Sequence, residues 1–247
     1  DGERRIGSIG MRLPYHEVRI GVIGEEGALE RFGETGEVGE ILLRGPSVIP
    51  GYRQADKNAG AFLADGWLNS GDLGRMDPDG YVWMVGRAKD LIIRSGHNID
   101  PGLIEEALSR HEDVELAAAV GQPDAYAGET PVAYVTVRAG ASITAEDLEA
   151  FARATVAERP AAPKAVRILD QMPVTAVGKI FKPALREDAA VHAARAALKA
   201  AGVAGVEVGA HIDKQRGLVV EVRGLADENA PAAAGALDAF SFIWERR

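Results

Sequence analysis

Gly86-Arg87-Ala88-Lys89-Asp90-Leu91-Ile92-Ile93-Arg94-Ser95-Gly96-His97-Asn98-Ile99-Asp100-Pro101 separates two kinds of sequence. Before it, apolar alternation is broken every few residues by glycine: Glu17-Val18-Arg19-Ile20, then Val38-Gly39-Glu40-Ile41-Leu42-Leu43-Arg44. That pattern predicts a β-rich segment over residues 1–86. Its sharpest turn is Asp77-Pro78-Asp79-Gly80, where proline presets the bend, glycine releases it, and Tyr81-Val82-Trp83-Met84-Val85 leaves as a strand.

After the quoted stretch, helices with readable starts alternate with strands. Asp100 caps a helix whose first position is Pro101 and whose apolar stripe is Leu103, Ile104, Ala107 and Leu108. Strands are predicted at Leu116 to Val120, Val132 to Val137 and Val166 to Leu169, with a helix behind the capping sequence Thr144-Ala145-Glu146-Asp147. Three strands with covering helices make an α+β unit over residues 87–187, and a loop from Met172 to Ile180 leaves the last strand. Beyond it, 188–247 is predicted as a tail. An alanine-rich helix (Pro183 to Ala201) leads to a hairpin of Val206 to Ile212 and Leu218 to Val222, turned by Asp213-Lys214-Gln215-Arg216-Gly217. A final helical stretch covers Ala232 to Ile243, and Phe240, Phe242 and Trp244 alternate, so some of them bury.

Composition narrows the function classes. Of 247 residues 47% are hydrophobic and 26% charged, which predicts a packed globular fold. The formal charge is -9, with no basic stripe to follow a phosphate backbone, which argues against nucleic acid as a partner. No cysteine is present, so thiolate chemistry and disulfides are excluded and a reducing compartment, the cytoplasm, is expected. No apolar run approaches the ~20 residues of a membrane span. The first residues, Asp1-Gly2-Glu3-Arg4-Arg5, carry neither a signal-peptide pattern nor an initiator methionine, which suggests a piece of a longer chain. The five histidines, His16, His97, His111, His192 and His211, lack metal-ligand spacing, so no metal site is predicted.

Gly178-Lys179 lacks the glycine and the Ser or Thr of a P-loop, since Pro173 and Ile180 stand at those positions. Read alone, Lys179 is solvated charge on a loop and Asp72 a surface carboxylate in a Ser-Gly-Asp turn. Together with the opening stretch they say more. Pro173-Val174-Thr175-Ala176-Val177-Gly178-Lys179-Ile180, Trp67-Leu68-Asn69-Ser70-Gly71-Asp72-Leu73 and Gly86 to Pro101 resemble, in order, three signatures of the acyl-adenylate-forming, AMP-binding superfamily, and Gly36 to Pro46 with Gly51-Tyr52 is similar to a fourth. The likeness covers residues 6–187, and it is closest to the C-terminal part of AMP-forming acyl-CoA synthetases.

That resemblance implies a β-rich remnant of the large adenylating domain, a mobile lid domain and a tail of unassigned role. By it, Lys179 is the catalytic lysine between the substrate carboxylate and the α-phosphate of ATP. Asp72 and Arg87 bind the nucleotide ribose, Lys89 is the hinge, and Ser95, Gly96 and His97 enter the thioester-forming site. The implied reactants are a carboxylic acid (fatty or aromatic), ATP with Mg2+, and coenzyme A, with a carrier-protein thiol or oxygen as other acceptors. The family's Ser/Thr/Gly-rich phosphate loop and Tyr-Gly-x-Thr-Glu segment do not occur in this sequence, so the chain is expected to need a large domain and to be inert alone. The competing reading is a non-enzymatic binding or regulatory module, and for the tail an accessory element packed on the lid against a regulatory or oligomerisation element.

Overall fold

The computed structural model describes residues 4–24, 27–213 and 215–247, so Asp1 to Glu3 and, in the predicted tail turn, Lys214 lie outside the described residues. The chain divides into two compact units, Asp1–Asp90 and Leu91–Arg247.

The first unit is one antiparallel sheet. Its strands are β1 (Ser8–Gly10), β2 (Glu17–Ile23), β3 (Leu29–Phe32), β4 (Gly39–Arg44), β5 (Leu68–Met76) and β6 (Val82–Arg87), in the order β1-β6-β5-β4-β2-β3. Ile20, Ile41 and Val82 form the small core on one face. The turn at Asp77 closes as its sequence predicts, with the Gly80 amide donating to the Asp77 carbonyl at 3.0 Å. The Asp77 carboxylate adds bonds from the amides of Asp79 and Tyr81.

The second unit starts with a hairpin that the sequence pattern does not announce, β7 (Ile92–Arg94) and β8 (His97–Ile99). Helix α1 (Pro101–Ser109) follows, capped by the Asp100 carboxylate, which accepts from the Gly102 amide. Then come β9 (Val114–Asp124), β10 (Gly128–Val137), α2 (Ala145–Thr155) and β11 (Ala165–Ile168). Thr144 and Asp147 close a reciprocal capping box on α2. The sheet has five strands, the predicted three plus β7 and β8. β10 pairs along its length with β9, and its other edge is shared by β11, in parallel, and β7.

Both faces of this sheet are buried, and alternation sorts the side chains between them. Ala117, Ala119, Ala133 and Val135 face α1 and α2, whereas Ala118, Val120, Val132 and Tyr134 join a second core with Leu185 and Ala189. The last two belong to α3 (Lys182–Ala200), one unbroken helix that runs through positions 187 and 188. Its further residues Ala190, Ala194 and Leu198 enter a third core. That core is shared with β12 (Glu207–Asp213), β13 (Gly217–Arg223), α4 (Ala230–Leu237) and β14 (Ile243–Arg246). The predicted last helix is therefore shorter than its sequence suggests. Residues 243–246 form a strand parallel to β13, and Phe242 just before it is buried.

No helix among the described residues is long and apolar enough to cross a membrane. Leu198, 1% exposed, anchors the far end of α3 in the tail core. Leu198→Ala is expected to cost about 2–5 kcal/mol, through lost transfer energy and the cavity left behind, read as a lower midpoint in urea-induced unfolding.

Candidate functional site

In the first unit, Asp72 and Arg87 meet across neighbouring strands. They are register partners on β5 and β6, and the Arg87 guanidinium donates from Nε to Asp72 Oδ1 at 3.0 Å. A bulge places the aspartate there. From the Glu40–Leu73 pair to the Leu42–Asn69 pair, β4 advances two positions (40 to 42) and β5 four (69 to 73), so residues around Ser70 and Gly71 loop out of the ladder. Side chains hold the loop: Asn69 Oδ1 accepts from the Gly71 amide at 2.9 Å and Ser70 Oγ from the Asp72 amide at 3.1 Å.

The Arg87 side chain is 66% exposed and that of Asp72 25%, and a pair so open to water contributes at most about 1 kcal/mol. It has little structural worth. Asp72 Oδ2 accepts no hydrogen bond among the described residues, so the carboxylate keeps an oxygen for a ligand. Lys89 lies in the short 3₁₀ turn Ala88–Asp90, the last residues of the unit. With Tyr52, Lys57, Asn69, Ser70 and Gly71 it lines a cleft of about 410 Å³.

In the second unit, Lys179 sits on an arm between β11 and α3. The arm is a miniature hairpin. Val174 bridges Ile180, the Thr175 amide donates to the Lys179 carbonyl at 2.7 Å, and the Phe181 amide donates to the Pro173 carbonyl at 2.8 Å. Gly178 turns its tip with φ of +78°, where a side chain would be strained. Buried Met172 and Leu185 fix the two feet of the arm, while Lys179 is exposed and makes no ion pair among the described residues.

Ser95 and Gly96 are the two loop residues of the β7–β8 hairpin. Their φ values of +49° and +82° are those of a two-residue turn with both centres left-handed. The glycine fits that geometry and the serine is held in it by its amide, which donates to the Ala127 carbonyl at 2.8 Å. His97 follows at the start of β8, exposed. No hydrogen bond or ion pair among the described residues joins this turn to Lys179.

Beside the turn lies a feature that sequence reading missed. Arg94, Arg153, Arg159 and Lys164 line a cleft of about 840 Å³ with Tyr126 and Thr130. Arg94 donates to the Pro160 carbonyl, and Lys164 pairs with Asp124 at 3.3 Å. Arg153 and Arg159 have no ion pair among the described residues. Thr130 is 4% exposed, and its Oγ1 has no hydrogen-bond partner there. Two guanidinium groups without an ion pair in one cleft form a site suited to an anion. Arg153, Arg159 and Lys164 are near neighbours in sequence, whereas Arg94 is distant and is brought to them by the pairing of β10 with both β7 and β11.

Comparison with known proteins identifies the family. The AMP-binding enzyme C-terminal domain family matches residues 103–179. The marinolic acid–CoA ligase of Pseudoalteromonas sp. (strain SANK 73390) is 48% identical over 199 residues, 81% of this chain and 30% of the ligase. ATP-bound MatB from Rhodopseudomonas palustris superposes with a TM-score of 0.66 at 33% identity, over 75% of this chain and 36% of that one. O-succinylbenzoate coenzyme A synthetase (MenE) from Bacillus subtilis, in complex with ATP and magnesium, gives 0.62 at 31% identity over 71% and 35%. The chain spans about a third of the length of the relatives it matches. It belongs to the AMP-binding family of adenylate-forming enzymes and corresponds to their C-terminal part.

Proposed function

We propose that this chain is the lysine-bearing part of an acid–thiol ligase. The ligase condenses a carboxylic acid, fatty or aromatic, with ATP to give an acyl-adenylate and pyrophosphate. Coenzyme A then attacks the adenylate, the thioester forms and AMP leaves. The observation that carries this reading is the arm: a short, hydrogen-bonded hairpin whose sole lysine stands exposed at its tip.

A compact ammonium offsets charge that concentrates between two anions, here the acid's carboxylate and the α-phosphate, and does so most strongly where water is excluded. Asp72 is the acceptor for ribose hydroxyls, since an ionised acceptor makes stronger hydrogen bonds than a neutral one. Arg87 holds it in place and reaches the same sugar. Lys89, at the end of the first unit, is the hinge about which the second unit turns between half-reactions. Ser95, Gly96 and His97 form the face presented for thioester formation, and the cationic cleft beside them supports coenzyme A as the thiol, because its phosphates need such partners. ATP and coenzyme A, with the absence of cysteine, favour the cytoplasm as the working compartment.

Among the described residues no group of three or more His, Cys, Asp or Glu side chains forms a metal cage; magnesium that accompanies ATP is held largely by the nucleotide's phosphates and water, with one or two carboxylates. The phosphate-binding and acid-binding walls belong to a large domain outside this sequence.

Two outcomes test the reading. The 247-residue chain alone should give no carboxylate-dependent pyrophosphate exchange, because one lysine and a ribose clamp cannot hold ATP, magnesium and an acid in attack geometry. In the full-length protein exchange should be present, and Lys179→Ala should lower it by about a hundredfold or more. Exchange from the chain alone refutes the need for a large domain, and none from the full-length protein favours the non-enzymatic module. Separately, Arg159→Ala in the full-length protein should raise the KM for coenzyme A by about tenfold, the worth of one charge-assisted hydrogen bond, without changing exchange. An unaltered KM removes the cleft from the thiol site.

A further inference from the structure

The first residue of α3, Lys182, stands three positions after Lys179, where a cation is electrostatically misplaced. The amino end of a helix carries partial positive charge, which favours carboxylates and opposes ammonium groups. The first turn of α3 has no acidic residue, and its N-cap Phe181 offers no side-chain acceptor. The compensation comes from another element. Glu105 of α1 reaches Lys182 Nζ with Oε1 at 2.8 Å, and the two side chains are only 27% and 19% exposed. The same oxygen accepts from the Ala119 amide of β9 at 2.8 Å, so the carboxylate is tied to the sheet as well as to the helix.

The pair stands at the foot of the arm. Between Lys182 and the tip lie the Phe181–Pro173 hydrogen bond and the Val174–Ile180 bridge, through which any displacement of the helix start is passed on. A second carboxylate is close by. Burial pushes the Asp100 carboxyl above its ordinary range and Glu105 adds to that, while Lys182 draws it down. Asp100 ends the segment that leaves the Ser95–His97 turn through β8, but the bonds of Glu105 run to Lys182 and the Ala119 amide, on the side of the arm.

We propose that Glu105 is a positioning residue for Lys179: by holding Lys182 at the foot of the arm it fixes where the lysine tip stands, and so serves the adenylate-forming half-reaction. The proposal rests on the reading of Lys179 given above.

The test is Glu105→Gln in the full-length protein, which keeps an oxygen for the Ala119 amide and removes the charge. Exchange of pyrophosphate should fall at least about tenfold in kcat, since small misplacements of a reacting group are costly. Thioester formation from preformed acyl-adenylate and coenzyme A should change less than about twofold by the same reasoning. Lys182→Met should reproduce the loss, Lys182→Arg should recover exchange relative to Lys182→Met, and the double variant Glu105→Gln with Lys182→Met should be no slower than either single change. Hydrogen exchange at the Thr175 and Phe181 amides should quicken by about tenfold in Glu105→Gln.

Unchanged amide protection, or equal slowing of both half-reactions, overturns the proposal. Should Glu105→Gln fail to fold, Lys182→Met decides by the same readings. If Lys179→Ala leaves exchange intact, the ligase reading fails. If Lys179→Ala abolishes exchange and Glu105→Gln does not slow it, the ligase reading stands and Glu105 has no positioning role.

Discussion

Helix α3 buries two sides at once, and the second unit is organised around that constraint. Ala189, Ala190, Ala193 and Ala194 are all buried, and none has an atom beyond Cβ. Small side chains let a helix approach a sheet closely, and alanine loses no rotamer freedom on burial. One side of α3 therefore lies on β9 and β10 through Leu185 and Ala189, while Ala190, Ala194 and Leu198 face the tail core. A tail built this way is no loose appendage. The helix it packs on begins where the Lys179 arm ends, and the burial that stabilises the tail also fixes the base of the arm.

A polar network adds direction to that packing. Tyr134 on β10 is fully buried, and its hydroxyl donates to Asp188 on α3 at 2.7 Å while accepting from Arg167 at 3.0 Å. Arg167 also reaches Gln122 on β9 at 2.5 Å. Burial and the Asp188 bond push the Tyr134 hydroxyl far above its ordinary range, so it stays a donor. Apolar packing is tolerant of sliding, whereas a buried hydroxyl with fixed partners penalises it. The exposed Asp72–Arg87 pair is the opposite case: with little stabilising worth, it can exchange partners with a ligand at low cost.

Where chemistry was local, sequence disclosed structure. The turn at Asp77, the Asp100 cap and the Thr144–Asp147 box each depend on residues within four positions, and all three form. The β7–β8 hairpin was hidden because three-residue strands such as Ile92-Ile93-Arg94 are too short to show alternation, although Ser95-Gly96 is a readable turn pair. β14 was hidden for another reason. The alternation of Phe240, Phe242 and Trp244 was visible, but its partner β13 is a distant parallel strand, and the preceding alanines favour a helix. The motifs named Asp72, Arg87 and Lys179 but not the bulge that joins the first two, nor the anion-suited cleft beside Ser95, to which the sheet brings the distant Arg94.

The two loops assigned to opposite half-reactions share a design. The Lys179 arm and the Ser95–Gly96 turn are both tight, internally hydrogen-bonded and rooted in the buried core of one unit. Placing functional groups on rigid supports improves their precision, but it removes the option of swapping them by local flexing. If such loops must serve one nucleotide in turn, the supporting body has to move as a whole. The dihedral change is then absorbed by a few residues outside it. The short turn Ala88–Asp90 ends the first unit and belongs to none of the three sheets, and it is there that the proposed hinge at Lys89 would absorb the change. Stiff turns that carry chemistry and the proposed hinge between the units are in this sense one requirement: motion excluded from the loops has to be taken up elsewhere.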